Sequence, residues 1–235
     1  MKRPEEIVLA IPDTQCPFHH RDSWDFLEWA RDKFNPTKIV NMGDEVDFHA
    51  LSDYDHDPDG RSAGDELAEA VKSLKPLYQL FPKVMSCISN HTSRPYRQAL
   101  KAGIPSNMIR SYSEILQAPK GWQWADQWEI DGVLYEHGTA YSGRAGALKA
   151  AMGNMQSTCI GHLHSHAGIQ YYANAKHLIF GFNTGCLIDK NAYAFNYGKT
   201  LTVKPILGCG IIEKGVPKFV PMLLKPNGRW IGRAS

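Results

Sequence analysis

Three short apolar runs, each ending in polar residues, constrain the fold of this chain more than any other feature. The runs are EEIVLAIPD (5–13), TKIVNMGD (37–44) and KVMSCISNH (83–91). Each has the composition of a short buried strand. Helical patterns over 21–34 and 65–81 separate the runs, and Pro76 is expected to kink or end the second helix. This alternation of strands and helices predicts a layered α/β fold with parallel strands.

The second half of the chain is dominated by strand patterns. Asp131-Gly132 lies between alternating residues and predicts a tight hairpin, and residues 143–153 form a small-residue helical pattern. The stretch 93–126 looks helical and loop-like. We expect a single domain over 1–235, because no repeat or linker is found. Further strands are predicted over 166–173, 176–183, 201–213 and 216–224.

The composition argues against several classes of protein. With 235 residues and a formal net charge of +2, the chain has no basic field that would favour tight nucleic-acid binding. Its apolar runs are far shorter than the roughly 20 residues of a membrane span, and we expect no signal peptide. Five widely spaced cysteines without a CxxC favour reduced thiols and a cytoplasmic location. A nucleophilic Cys16 is the alternative, although nothing else resembles an acyl-transfer site.

Residues able to bind a metal recur at the ends of the predicted strands. The carboxyl ends of parallel strands meet at one edge of a sheet, where ligands bind. Singly, each residue also has an ordinary structural role: Asp13 as a cap, Asn90 in a turn, His137 at a surface strand end. His162 and His164 alternate along a strand and therefore face the same side. Together the pattern predicts one site that contains Asp13, Asp44, Asn90, His91, His137, His162 and His164.

The order of these residues resembles that of the calcineurin-like metallophosphoesterase family. The family pattern is D-x-H, GD-x-x-D, GNH, a lone histidine and GH-x-H. This resemblance covers most of the chain and implies an α/β fold of the four-layer αββα sandwich type with a two-metal centre at one edge. Residues 92–126 would then be a variable insertion able to form a cap. The matching residues are Asp13, GDEVD (43–47), SNH (89–91), EHG (136–138) and GHLH (161–164).

Carried over position by position, the resemblance implies two divalent ions bridged by Asp44. Mixed carboxylate, amide and imidazole ligands suit Mn²⁺, Fe, Zn²⁺ or Co²⁺ better than Mg²⁺ or Ca²⁺. We expect Mn²⁺, with Fe, Zn²⁺, Co²⁺ and Ni²⁺ as alternatives. The other ligands would be Asp13 and His164 for the first ion, and Asn90, His137 and His162 for the second.

The same resemblance implies a reaction and two catalytic residues. Two ions about 3.5–4 Å apart clamp a phosphate and activate a bridging hydroxide, which attacks phosphorus in line with the leaving alkoxide. His91 is not a ligand in the family pattern. It would donate a hydrogen bond or a proton toward the leaving group. Asp47 would orient His91 and favour its charged form.

One ligand of the pattern is missing, because Gln15 stands where the family has its first histidine. On an extended segment Gln15 points the same way as Asp13, and its amide oxygen is a weak metal ligand. His19 or His20 would replace it if the following loop folds back, and water is a further alternative. Both histidines otherwise line the cleft or face solvent.

Other departures from the pattern bear on the substrate. Phe48-His49 replaces the Arg-Gly of protein Ser/Thr phosphatases, which argues against a phosphoprotein substrate. Ser89 replaces the usual glycine, and Thr92 stands where many relatives have an acidic residue. Arg94 and Arg97 either bind substrate phosphates or form the solvated start of a helix.

With DTQCPFHH (13–20), NTGCL (183–187) and no expected targeting signal, the whole chain is also similar to small stand-alone phosphoesterases of bacteriophage and prophage genomes, which implies a location in the host cytoplasm. We expect a phosphodiesterase acting on nucleic acid or nucleotides. One alternative is a phosphomonoesterase acting on nucleotides or small phosphates. The other is an inactive metal- or ligand-binding protein with the same fold, which the Gln15 substitution favours.

Overall fold

The computed structural model describes residues 5–53, 60–193 and 204–232, so the start of the predicted strand 201–213 lies outside the described residues. The strands are β1 (Ile7–Ile11), β2 (Lys38–Asn41), β3 (Lys83–Cys87), β4 (Gly121–Ala125), β5 (Gln127–Ile130), β6 (Val133–Glu136), β7 (Ser157–Ile160), β8 (Gly168–Ala173), β9 (Leu178–Asn183), β10 (Gly208–Glu213) and β11 (Val216–Pro221). The helices are α1 (Ser23–Phe34), α2 (Ala63–Leu80), α3 (Arg94–Lys101), α4 (Tyr112–Ile115), α5 (Gly146–Asn154) and α6 (Lys190–Tyr193), with 3₁₀ helices at His49–Leu51 and Ser106–Met108.

The strands form two mixed sheets, which confirms the predicted α/β class. The first has the order β11-β10-β1-β2-β3-β4 and the second the order β5-β6-β7-β9-β8. Strands β1 to β4 run parallel, as do β6, β7 and β9. The hairpin predicted at Asp131-Gly132 joins β5 to β6, and both of its turn residues have positive φ, as a tight hairpin turn requires.

The two sheets pack face to face, and the helices cover their outer faces. Val8 and Ala10 of β1 lie in the core between the sheets, in one cluster with Tyr135 and Phe182 of the second sheet. Leu9 and Ile11 alternate with them along the strand and pack with Phe26 and Leu27 of α1 and with Leu74 and Leu77 of α2. Helix α5 covers the second sheet. This arrangement of layers is compatible with an α/β sandwich.

The segment expected to be helical and loop-like includes a strand. Residues 121–125 form β4, which extends the first sheet beside β3. Trp122 of this strand is buried, and its indole N–H donates to the carbonyl oxygen of Phe81 at 2.8 Å. Part of the predicted insertion 92–126 is therefore an edge strand of the main sheet, because its tryptophans pack into the core.

None of the helices in the described parts of the chain has the length and hydropathy that crossing a bilayer requires.

Candidate metal centre

The predicted site residues meet at the carboxyl ends of five strands. Asp13 follows β1, Asp44 follows β2, and Asn90 follows β3 in the first sheet. His137 follows β6 of the second sheet, so the site lies where the same edges of both sheets meet. His162 and His164 lie in the loop after β7, so the prediction that they alternate along a strand is wrong. Two groups of side chains have all their potential ligand atoms within 4.8 Å of one another, and they share one member. The groups are Asp13, Asp44 and His164, and Asp44, His137 and His162.

The loops that carry these side chains hold uncommon backbone conformations. Gln15, Asp44 and His162 all have positive φ, at 43°, 49° and 65°. Non-glycine residues adopt this region rarely and at a cost, and such residues cluster at functional sites. Gly43 has a φ of 100°, and a Cβ there would lie 2.7 Å from the Cβ of Ser89. Only glycine therefore lets the Asp44 loop approach the Ser89 loop so closely.

Asp13 is fully buried and only half satisfied. Its Oδ2 accepts the backbone N–H of His162 at 2.9 Å and lies 2.9 Å from Nε2 of His164. Its Oδ1 has no hydrogen-bond partner among the described residues. A Cβ at Gly161 would lie 2.2 Å from this oxygen, so only glycine leaves room for it. A buried carboxylate oxygen without a partner is costly, and a bound cation would satisfy it.

Asp44 lies between the two groups. Its Oδ1 accepts the N–H of His91 at 3.2 Å, while its Oδ2 lies 3.4 Å from Nε2 of His137 and 3.7 Å from Nε2 of His91. Burial opposes ionisation of Asp44, but the charges of His137 and His91 outweigh burial and hold the pKa of this carboxyl well below its usual range. The Asp44 carboxylate is therefore ionised and belongs to both groups of potential ligands.

The second group is organised by a backbone carbonyl. Nδ1 of His137 lies 2.8 Å from the carbonyl oxygen of Met42, which assigns the Nδ1 proton and turns Nε2 toward the site. Nε2 lies 2.7 Å from Oδ1 of Asn90. Burial lowers the pKa of His137, but Asp44 outweighs it and raises the pKa to about 9. Burial and the His137 charge lower the pKa of His162, which favours the neutral imidazole that binds metals.

Gln15 reaches the first group by a different route from the one predicted. Its positive φ means that the segment after Asp13 is not extended. The side-chain amide nevertheless lies close to two predicted ligands of the first ion. Its Nε2 is 3.5 Å from Oδ2 of Asp44 and 3.4 Å from Nε2 of His164. A 180° rotation of the amide would present its oxygen at the same place.

His19 and His20 are not brought into either group. The ring of His19 stacks on Trp24 with centroids 4.7 Å apart, and burial lowers the pKa of His19 to about 4. Nε2 of His20 lies 2.9 Å from the carbonyl oxygen of Gly228. Both histidines are therefore occupied in packing, which argues against them as replacements for the missing ligand. Burial also raises the pKa of the Cys16 thiol to about 12, against a nucleophilic role.

His91 and Asp47 form the predicted pair. Nδ1 of His91 lies 2.7 Å from Oδ1 of Asp47 and 2.6 Å from its carbonyl oxygen, so Nδ1 carries the proton and Nε2 faces the site. Burial lowers the pKa of His91, but the carboxylates of Asp44 and Asp47 outweigh burial and raise it.

Arg94 is buried, contrary to the expected solvated helix start. Its Nη1 donates to the carbonyl oxygens of Asp47 at 2.7 Å and Phe48 at 3.2 Å, and Nη2 lies 3.4 Å from Nε2 of His91. It therefore fixes the loop that carries Asp47. Arg97 is exposed, and its Nη2 donates to the carbonyl oxygen of Asn90 at 2.9 Å.

Sequence reasoning missed Glu45, the neighbour of Asp44. It is fully buried and accepts hydrogen bonds from Ser86, Thr92 and Trp124. A glutamate in a short polar turn looks like a solvated loop residue. The one available signal was its place directly after a buried strand, between two predicted site residues.

Comparison with known proteins assigns no family: no family model matches this chain, and no curated protein matches its sequence. The geometry of the site and the order of its motifs are therefore what support a function.

Proposed function

We propose that this chain is a divalent-metal-dependent phosphoesterase with the calcineurin-like αββα sandwich fold. The observation that carries the proposal is the pair of Asp/His groups that share Asp44, with the ligand atoms of each group within 4.8 Å of one another. Two metal sites joined by one carboxylate are the arrangement of a two-metal phosphoesterase. The order of the motifs along the chain and the two face-to-face sheets support the same assignment.

The donor set fits two divalent ions. Asp13 and His164, with Gln15 beside them, would hold the first ion, and Asp13 has one oxygen, Oδ1, without a partner among the described residues. Asp44 would belong to both sites. The second ion would be held by Asn90, His137 and His162. This mixture of carboxylate, amide and imidazole suits Mn²⁺, Fe, Zn²⁺ or Co²⁺, and Mn²⁺ is the ion we propose.

When bound, two such ions supply positive charge for the substrate's phosphate and lower the pKa of an attacking water. The chain itself then orients groups around the phosphate. The Met42 carbonyl keeps Nε2 of His137 turned toward the site. Asp47 holds the Nδ1 proton of His91, which leaves Nε2 of His91 to donate a proton to the leaving alkoxide.

We favour phosphodiesters, either nucleic acid or nucleotides, over phosphomonoesters, because of the resemblance to phage phosphoesterases together with the position of His91. A general acid beside the metal groups is most valuable when the leaving group is a poor one such as an alkoxide. Gln15 weakens the first site in donor strength but not in placement, because its amide lies within 3.5 Å of Asp44. This closeness argues against the binding-protein alternative.

The proposal is tested by assaying metal-stripped protein resupplied with Mn²⁺. Bis(p-nitrophenyl) phosphate and p-nitrophenyl phosphate serve as substrates, and Asp44→Asn protein from the same preparation serves as the contamination control. Diester turnover that is absent from the variant is the expected result. Turnover of the monoester alone would favour the phosphomonoesterase alternative. A wild-type protein that binds no Mn²⁺ and cleaves neither ester would overturn the proposal in favour of the binding protein.

A further inference from the structure

A buried carboxylate next to Asp44 joins three parts of the first sheet. Glu45 has no exposed surface. Its Oε1 accepts the Ser86 hydroxyl of β3 and the indole N–H of Trp124 of β4, the latter at 2.8 Å. Its Oε2 accepts the hydroxyl of Thr92 at 2.7 Å. None of the ion pairs among the described residues includes Glu45, so its buried carboxyl group is stabilised by these three hydrogen bonds and not by a neighbouring charge.

The hydrogen bonds that lead from Glu45 to Asp44 have a fixed direction. Oγ of Ser89 accepts the backbone N–H groups of Asp44 and Thr92, both at 3.0 Å, which uses its two lone pairs. Its own proton must therefore go to Oγ1 of Thr92, 2.7 Å away. The Thr92 proton must in turn go to Oε2 of Glu45. The result is a relay from Asp44 through Ser89 and Thr92 to Glu45.

This relay connects the two loops that carry the bridging carboxylate and the Asn90-His91 pair. Its two hydroxyls, Ser89 and Thr92, are also the two departures from the family pattern in the third motif. Glu45 closes the relay as an acceptor, because its Oε2 accepts the Thr92 proton and the series of donors ends there.

We propose that Glu45 is a positioning residue for the metal centre, which acts through Thr92 and Ser89 to hold Asp44 in place for metal binding. This inference rests on the proposed function. Ser89 is hydrogen-bonded to Asp44 directly, and Glu45 holds Ser89 through Thr92. Loss of groups that orient metal ligands lowers metal affinity roughly 10–100-fold.

Glu45→Gln is the sharpest test. Glutamine is nearly isosteric, but its NH₂ would face a Thr92 hydroxyl whose proton then has no acceptor. Glu66→Gln is a matched control. Glu66 is also buried, and its carboxylate accepts the backbone N–H groups of His49 and Ala50 at 2.7 and 2.9 Å, away from the two metal groups. Mn²⁺ affinity is measured by titration calorimetry and stability by the thermal midpoint.

We expect Glu45→Gln to weaken Mn²⁺ binding at least about tenfold, while Glu66→Gln lowers the thermal midpoint without changing Mn²⁺ affinity. Ser89→Ala cuts the same relay and should weaken Mn²⁺ binding in the same direction, and the double variant should fall short of the sum of both effects. If Glu45→Gln does not fold, the Mn²⁺ affinity of Ser89→Ala alone tests the inference. Unchanged Mn²⁺ affinity in Glu45→Gln and Ser89→Ala would overturn the inference and leave the proposed function intact. A wild type that binds no Mn²⁺ would overturn both.

Discussion

Two buried carboxylates of this protein, Asp13 and Asp22, differ in how completely their oxygens are hydrogen-bonded, and each belongs to a polar cluster. The first is the candidate metal centre. The second, which we call the C-terminal clasp, consists of His20 and Asp22 with residues 228–230. Both carboxylate oxygens of Asp22 lie 2.9 Å from Nε of Arg229, and one of them also accepts the Trp230 N–H at 2.8 Å. In the metal centre, Oδ1 of Asp13 has no partner within the described chain.

The backbone follows the same division. Gln15, Asp44 and His162 hold positive φ in the metal centre, whereas Gly228 is the one clasp residue with positive φ and bears no side chain to be strained. The clasp satisfies both oxygens of its carboxylate, although the indole Nε1 of Trp230 has no partner among the described residues, while the metal centre leaves one carboxylate oxygen for a ligand. Residue type alone does not show which cluster a histidine or aspartate belongs to, because Asp13 and His20 lie in the same loop.

The largest difference between the clusters should appear on neutralising one carboxylate in each. Asp44→Asn should reduce diester hydrolysis to the level of the control without enzyme, because the residue shared by both metal groups loses its charge. Asp22→Asn, the matched change in the clasp, should keep its Mn²⁺ affinity and turnover. Phosphodiesterase assays and Mn²⁺ titrations on both variants would check this. Full activity in Asp44→Asn would show that the Asp44 carboxylate is not a required ligand.

The next effect separates metal binding from proton donation. His91→Ala should keep both Mn²⁺ sites and slow cleavage of a dinucleotide roughly 10²–10⁴-fold, as expected on loss of a general acid. With a p-nitrophenolate leaving group, which needs less protonation, the defect should be smaller. Steady-state rates on the two substrates, with Mn²⁺ content measured in parallel, test this. Equal defects on both substrates would argue against a role in protonating the leaving group.

The fold was predictable wherever local pattern and long-range pairing agree. The apolar runs of β1, β2 and β3 and the turn at Asp131-Gly132 carry strong local signals, and the structure confirms them. Strand β4 was missed because its tryptophans become a strand only by pairing with β3. Helix α2 continues past Pro76 to Leu80, although proline was expected to kink or end it, since Pro76 lies on the exposed face where water can satisfy the freed carbonyl.

The proximity of the site residues was predictable for the same reason, and the finer geometry was not. Asp13 and His164 follow strands that run to the same edge, and Nε2 of His164 lies 2.9 Å from Oδ2 of Asp13 despite 151 residues of separation. The partner of His20 is 208 residues away along the chain, and Trp124 is 79 residues from Glu45. No local pattern encodes such pairs. The left-handed backbone at Gln15 likewise depends on the Asp44 carbonyl, which accepts the Gln15 N–H at 2.8 Å.

A smaller effect is expected at the missing ligand. Gln15→His should tighten binding of the first Mn²⁺, on the order of tenfold, because imidazole is a stronger ligand than an amide. Histidine tolerates the positive φ of this position better than most residues. Titration calorimetry resolves the two sites, and Gln15→Ala gives the opposite limit. Affinity that is the same in all three proteins would mean that water completes the site, since His19 and His20 are held elsewhere.

The smallest effect belongs to the clasp, and it should be one of stability alone. The hydrogen bond from Arg229 holds the pKa of Asp22 below its usual range. A carboxyl with a lowered folded-state pKa stabilises the protein in full above its unfolded pKa of about 4, and this contribution is lost as the pH falls toward the lower folded value. Asp22→Ala should therefore lower Tm by about 2–6 °C at pH 7 and by less near pH 3, with Mn²⁺ affinity unchanged. A pH series of thermal melts on both proteins measures this, and a difference in Tm that grows on acidification would show that Asp22 does not act through its charge.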